Sequence, residues 1–340
     1  MKKTKAMVLF VIFTSLVVGA WAQQKGPLKF AQTIPLPDLH DGDFDHFRVD
    51  LAGNRLFATA EENSKVLVFD LMTNKLIHTI TDLKAPHSMV YRADLNKLFV
   101  VDGDLGEVKI YDTKSFEPAG SVKLREGADA STYDPATKYM YVVNGGDDAH
   151  LPNSYISVID TTSGKVVGEI NVDSPDVEAM ALEKSGPRMF VNVRGNNEIK
   201  VFDRSNHKLL ATWSIAEQGK KPTALAFDEG SHRLFVGTRD PGKLIVLDSD
   251  SGKVLASMPA GPMVDDMAFD SASKRIYFAA SQFIDVFQQR DPDHYERIGH
   301  VPTSFRAKTA ILVPELKLYY LAVPHHEKRM AEVRVYKVVP

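Results

Sequence analysis

One short apolar stretch with an aromatic at its second position recurs along the chain: LFATA (56–60), LFVVD (98–102), MYVVN (140–144), MFVNV (189–193), LFVGT (234–238), IYFAA (276–280) and YYLAV (319–323). The aromatics Phe57, Phe99, Tyr141, Phe190, Phe235, Tyr277 and Tyr320 are separated by 42, 42, 49, 45, 42 and 43 residues. That period is the length of a four-stranded propeller blade. After each aromatic run comes a second alternating run, such as KVLVFD, EVKIYD and YISVID. Five of these end in aspartate, at Asp70, Asp112, Asp160, Asp203 and Asp248. A tight turn then follows, as in DTTSGK (160–165), where Asp and Ser/Thr bond local backbone and Gly takes a positive φ. An outer run such as KVVGEI (165–170) comes next, and a small-residue run such as AMALE or ALAFD precedes each aromatic one. Alternation over four to eight residues is the signature of half-buried strands.

The pattern predicts an all-β fold: a seven-bladed β-propeller of four-stranded blades. The last unit stops at EVRVYKVVP without an outer strand. LKFAQTIP (28–35) is expected to supply it, so that the two termini share blade seven and the ring has no free edge. An open sandwich of short strands would explain neither the seven matched units nor the displaced N-terminal strand.

The first residues change the picture of the compartment. Lys2, Lys3 and Lys5 precede an apolar run from Ala6 to Ala20, and Ala20-Trp21-Ala22 reads as a cleavage site. This predicts a signal peptide over 1–22 and a single propeller domain over 23–340, periplasmic or secreted. The apolar run is short for a membrane span, and no later stretch approaches it. There is no cysteine, which excludes disulfides, thiolate nucleophiles and Cys-ligated metals. Three of the 41 Lys and Arg lie in the leader, leaving 38 against 44 Asp and Glu. No basic block stands out, so nucleic acid finds little support as a partner.

YVVN (141–144) closely matches the signature of the YVTN/YncE-like repeat proteins, and VID-TTSGKVVGEI and VLD-SDSGKVLASM resemble the rest of their repeat. The resemblance covers the whole mature chain. It implies an exported seven-bladed propeller and supplies no catalytic residue set. Only Trp21 and Trp213 are present, so the per-blade Trp of quinoprotein propellers is missing, as are the WD dipeptide and kelch glycine pairs. Lactonase-type propellers share the architecture, and architecture alone does not choose a function.

Candidate chemistry gathers where the innermost strands enter the channel. Twelve residues before each aromatic stand Asp45, His87, Asp129, Glu178, Thr223, Asp265 and Lys308. The next position along carries His46 and Asp266. The DGDFDHF stretch (41–47) is therefore a channel entrance; an EF-hand would need Gly and Glu where His46 and Ala52 stand. Several carboxylates around a narrow mouth repel one another unless a cation, nearby bases or proton uptake relieves them. Asp45, His46, His87, Asp129 and Glu178 are the candidate ligands for a divalent cation: Ca²⁺, Mg²⁺, Mn²⁺ or Zn²⁺. A plain hydrated channel is the competing expectation.

Arg194 and Arg239 occupy matching loop positions in blades four and five. They are candidates for clamping a carboxylate or phosphate, or for pairing with neighbouring acids such as Asp240. Asn144 ends the equivalent strand of blade three, and the long loops 144–155 and 323–332 bring Asp147, Asp148, His150, His325 and His326 to the same face. His325 is expected to reach the mouth and His326 to face solvent. No P-loop, nucleophile elbow, HExxH or GxGxxG is present. Two functions stay open: a monomeric exported scaffold holding a small ligand, ion or protein partner at the mouth, or a metal-assisted hydrolase, lactonase or lyase at the same place.

Overall fold

The computed structural model describes residues 26–340; the expected leader at 1–22 lies outside them. Seven four-stranded antiparallel sheets follow one another around a ring. Blade one is typical, with strands Phe47–Asp50, Arg55–Ala60, Lys65–Asp70 and Lys75–Ile80 running from the channel to the rim. Blade seven supplies Ala310–Val313, Leu318–Val323 and Ala331–Val338 from the C-terminal end. Its outer strand is Leu28–Leu36, paired antiparallel from Leu28 opposite Val338 to Leu36 opposite Ala331. The expected strand exchange is present and extends one residue further. Among the described residues no helix is long and apolar enough to cross a membrane.

All seven repeat aromatics are buried, none more than 1% exposed. Each packs against the next blade. Phe57 meets Met89, Leu98, Val100 and Tyr111 of blade two, and Tyr277 stacks on Tyr319 with ring centroids 5.6 Å apart. Tyr320 closes the circle against Leu56 and Phe69 of blade one. Burying one such side chain stabilises the fold by roughly 1.5–3 kcal/mol, so a regular aromatic column gives seven comparable seams.

The strand-end aspartates cap turns as expected. Asp160 accepts from the Thr162 amide at 2.9 Å and from the Ser163 hydroxyl at 2.8 Å. On the face away from the mouth, arginines staple neighbouring blades. Arg188 binds Glu183 at 2.6 Å within its own blade and donates to the Ser249 carbonyl of the next blade at 2.6 Å. Arg275 likewise reaches the Val339 carbonyl at 2.5 Å.

Candidate functional site at the channel mouth

A repeated backbone device builds the mouth. The Asp45, Asp129 and Glu178 amides donate to the Thr59, Val143 and Asn192 carbonyls at 3.1, 2.9 and 2.9 Å. Each of these ring residues is thus pinned to the second strand of its own blade before the innermost strand begins. Two residues earlier, Gly127, Lys221, Met263 and Arg306 adopt positive φ, which turns the incoming chain towards the axis. At Gly127 the conformation requires glycine twice over, since a Cβ would also lie 2.7 Å from the Gly145 carbonyl.

Blades one to three form a first arc. His87 Nδ1 lies 3.0 Å from Asp45 Oδ2 and 3.4 Å from Asp129 Oδ1, and its Nε2 is 3.9 Å from Glu61. Asp45, His87 and Asp129 each offer one donor atom, all within 4.8 Å of one another. A cation bound at about 2.1–2.4 Å spaces its ligands no further apart than that. His46 turns to the other side, with Nδ1 3.1 Å from Asp266 and Nε2 3.9 Å from Asp45. Of the five candidate metal ligands the structure brings three together, while His46 is engaged by Asp266.

Blades four to six form a second arc, in which Asp176, Glu178 and Asp265 each have an arginine, while Asp266 is left to His46. Arg194 binds Glu178 and, at 2.6 Å, Asp176. Arg239 binds Asp265 and donates to the Val264 carbonyl at 2.8 Å. Lys308 joins Asp265 at 2.9 Å and Asp43 at 3.7 Å. Arg306 adds contacts to Asp43, Asp41 and Glu62 at 2.5, 2.9 and 3.0 Å. Arg194 and Arg239 are therefore spent on ring carboxylates, and Arg239 takes Asp265 of the next blade instead of its sequence neighbour Asp240.

Asn144 stands apart from the mouth. It is fully buried, and its amide nitrogen donates to the Val142 carbonyl and Ser157 hydroxyl at 3.0 and 2.9 Å inside blade three. His325 forms an isolated β-bridge with Asp41, which brings it to the edge of the entrance loop. His326 is half-buried against Phe305, with centroids 4.9 Å apart, and so is not simply solvent-facing. Asp147 and Asp148 of the long loop line a cavity of about 180 Å³ with Asp129, Asp176, Glu178 and Arg194.

The charges do not balance. Apart from Asp147 and Asp148, ten carboxylates named above share the mouth with Arg194, Arg239, Arg306 and Lys308 and with the imidazoles of His46 and His87. Burial pushes the Glu178 carboxyl up to about 8, Asp129 adding to the rise against the pull of Arg194. Burial likewise lifts Glu61 to about 7, with Asp45 and Asp129 opposing His87. Burial works against charge on His87, but Asp129, Asp45 and Glu61 outweigh it and hold the imidazole at about 10. Asp45 goes the other way: burial alone would raise it, yet His46 and His87 keep it well below the usual carboxylate range.

No protein-family profile and no curated protein sequence matches the chain. Among solved structures it is similar to a chain of the mitotic checkpoint complex, at TM-score 0.75 and 15% identity over 100% of this chain and 99% of the other. It is also similar to the WD40 repeats of RRP9, at TM-score 0.77 and 11% identity over 92% and 99%. At these identities the likeness is one of fold. The chain is a seven-bladed β-propeller, an architecture that commonly serves as an interaction scaffold.

Proposed function

We propose that the chain is an exported binding propeller of the YVTN/YncE-like kind whose channel mouth holds a cation. A divalent ion at Asp45, His87 and Asp129 is the simplest occupant, with the small-molecule or protein ligand of the scaffold recruited on the same face. The basic, apolar and A-x-A order of the leader supports export, and the YVVN strand with its TTSGK turn supports the repeat family. The observation that carries the cation is geometric: Asp45, His87 and Asp129 place three donor atoms within 4.8 Å of one another, and among the described residues neither carboxylate has an arginine or lysine as an ion-pair partner. One imidazole and two carboxylates suit Ca²⁺, Mn²⁺ or Zn²⁺ better than a site of thiolates or of imidazoles alone.

The test is metal content of the purified mature chain by mass spectrometry, with melting before and after chelation. A stoichiometric divalent ion, lost together with a lower melting temperature, is the expected result. No ion and an unchanged melt after dialysis against each candidate metal would overturn the reading.

One observation favours hydrolysis at the same mouth. Glu61 lies 3.9 Å from His87, beside the three-donor set, with its carboxyl near neutrality, where a general acid–base works best. A screen of lactones and esters with the metal-loaded protein decides this second reading. Turnover that survives Glu61→Gln removes Glu61 from the role.

A further inference from the structure

Beside His46 and Asp266, the innermost strands line a cavity of about 370 Å³. Its wall is mixed: Met89, Leu225, Met267 and Ala268 form an apolar side, and Ser88, Ser131, His46 and Asp266 bring polar groups. Arg48 lines it too. At the equivalent position, nine residues before each aromatic, the other blades carry Val90, Thr132, Ala181, Ala226, Ala268 and Ile311. Arg48 is thus the single charge of its tier, and the alanines of blades four to six leave space in the tier.

Arg48 is also under-used. Its Nε donates to the Met89 carbonyl at 2.8 Å. Among the described residues it makes no other hydrogen bond and no ion pair, so four of five guanidinium donors have no protein acceptor. The carboxylate that acts on it is Asp266. The oxygens of Asp266 already accept from His46 Nδ1 at 3.1 Å and from the Ala310 amide at 2.7 Å. Every mouth arginine is tied to a carboxylate. A guanidinium at a cavity wall with its planar Nη edge unmatched is the donor arrangement that binds a carboxylate in two parallel bonds.

We propose that this cavity binds a small monocarboxylate with an apolar body, its carboxylate held by the Nη edge of Arg48. The volume lies in the range of small-molecule pockets, Met89, Leu225 and Met267 offer an apolar side for the body of the ligand, and Arg48 is the one cationic side chain of the wall besides His46, which Asp266 engages. The acid-rich ring disfavours a second negative charge, so phosphate and dicarboxylates fit poorly. The proposal stands apart from the cation reading, since none of its residues is among the three donors of the first arc.

Titration calorimetry of the mature chain with hexanoate, hexanamide and hexylamine tests it. Hexanoate is expected to bind at least tenfold more tightly than either neutral amide or amine. Arg48→Met should lose that tenfold preference, and Arg48→Lys should keep only part of it because an ammonium cannot make the paired bonds. Melting curves establish that each variant is folded; if Arg48→Met is not, the Lys variant carries the comparison. Chelation should leave hexanoate binding unchanged. Equal affinity for hexanamide, undiminished hexanoate binding in a folded Arg48 variant, or no binding at millimolar concentration would each overturn the proposal. Loss of hexanoate binding on chelation would move the carboxylate onto a mouth cation and overturn it as well.

Discussion

The two arcs of the mouth share a backbone and differ in chemistry. Asp45 and Asp129 in the first, and Glu178 in the second, hang from the same amide-to-carbonyl bond and occupy one column. What separates them is the residue four beyond each aromatic. In the first arc it is Glu61, Gly103 and Gly145; in the second it is Arg194 and Arg239. Where an arginine stands there, a ring carboxylate is neutralised, in the same blade for Arg194 and Glu178 and in the next blade for Arg239 and Asp265. Where a glycine or an acid stands there, the carboxylate is left to a histidine or to a cation. Blade six carries Ser281 there, and its Asp265 takes its bases from both neighbours, Arg239 and Lys308, so this position supplies bases to a stretch of the ring and not only to its own blade.

Removing a fixed cation from the second arc should have the largest effect. Above pH 8, where Glu178 is ionised, Arg194→Met leaves Asp176 and Glu178 without their base, and stranding one partner of a buried pair costs roughly 3–5 kcal/mol. Arg194 is about a quarter exposed, so the lower end applies, about 3 kcal/mol. Adding Glu178→Gln should restore part of it, because no buried charge then remains at that position. Denaturant unfolding of the single and double variants measures this. An unaltered midpoint for Arg194→Met would mean that solvent already screens the pair.

The arcs can also be made alike. Glu61→Arg transplants the second arc's base into the first, next to His87 and within range of Asp45 and Asp129. The expected outcome is loss of divalent binding by at least tenfold, about 1.4 kcal/mol, with the melting temperature no longer dependent on chelator. Retained binding would show that position 61 does not control the first arc.

Much of this contrast was legible in the sequence. Counting from the aromatics placed the ring column correctly because antiparallel register is preserved from blade to blade. The same count set Arg194 beside Arg239, and it also contained Glu61, which only its neighbours His87 and Asp45 make meaningful. Asp43, Asp176 and Arg306 share a column fourteen residues before the aromatic, a signal that was available and unused. Asn144 was misplaced by one residue. It sits three beyond its aromatic, where all seven residues are buried, and side chains in a strand alternate faces. For the same reason Arg239 does not meet Asp240. Pairing across blades depends on which way a long side chain leans, and one sequence does not record that.

The arcs should differ in pH response once metal is removed. Glu178 is raised from an unfolded value near 4.5 to about 8. The folded state then holds a proton that the unfolded state has released, so stability falls as pH rises from about 4.5 to 8. His87 acts in the same direction over a later window, its contribution present below about 6.5 and lost towards 10. In chelator, melting temperature should drop by several degrees between pH 5 and 8, and Glu178→Gln should flatten the lower part of that slope. An identical slope in the variant would assign the effect to other groups.

The smallest effect sharpens the first arc alone. A Cβ at Gly103 would lie 2.8 Å from His87 Nε2 and 3.1 Å from the Ala128 carbonyl. The backbone atom cannot yield easily, so the imidazole must shift by a few tenths of an ångström. Gly103 does not hold a positive φ, and alanine there meets no conformational penalty of its own. Gly103→Ala should cost about 1 kcal/mol, the low end for crowding a packed site. It should weaken divalent binding a few-fold, because His87 moves relative to Asp45 and Asp129. The same substitution at an exposed turn glycine such as Gly230, where the nearest neighbour lies 3.5 Å away, should change neither quantity. If both alanines behave alike, His87 has room to adjust and the three donors are not held rigidly by the glycine column.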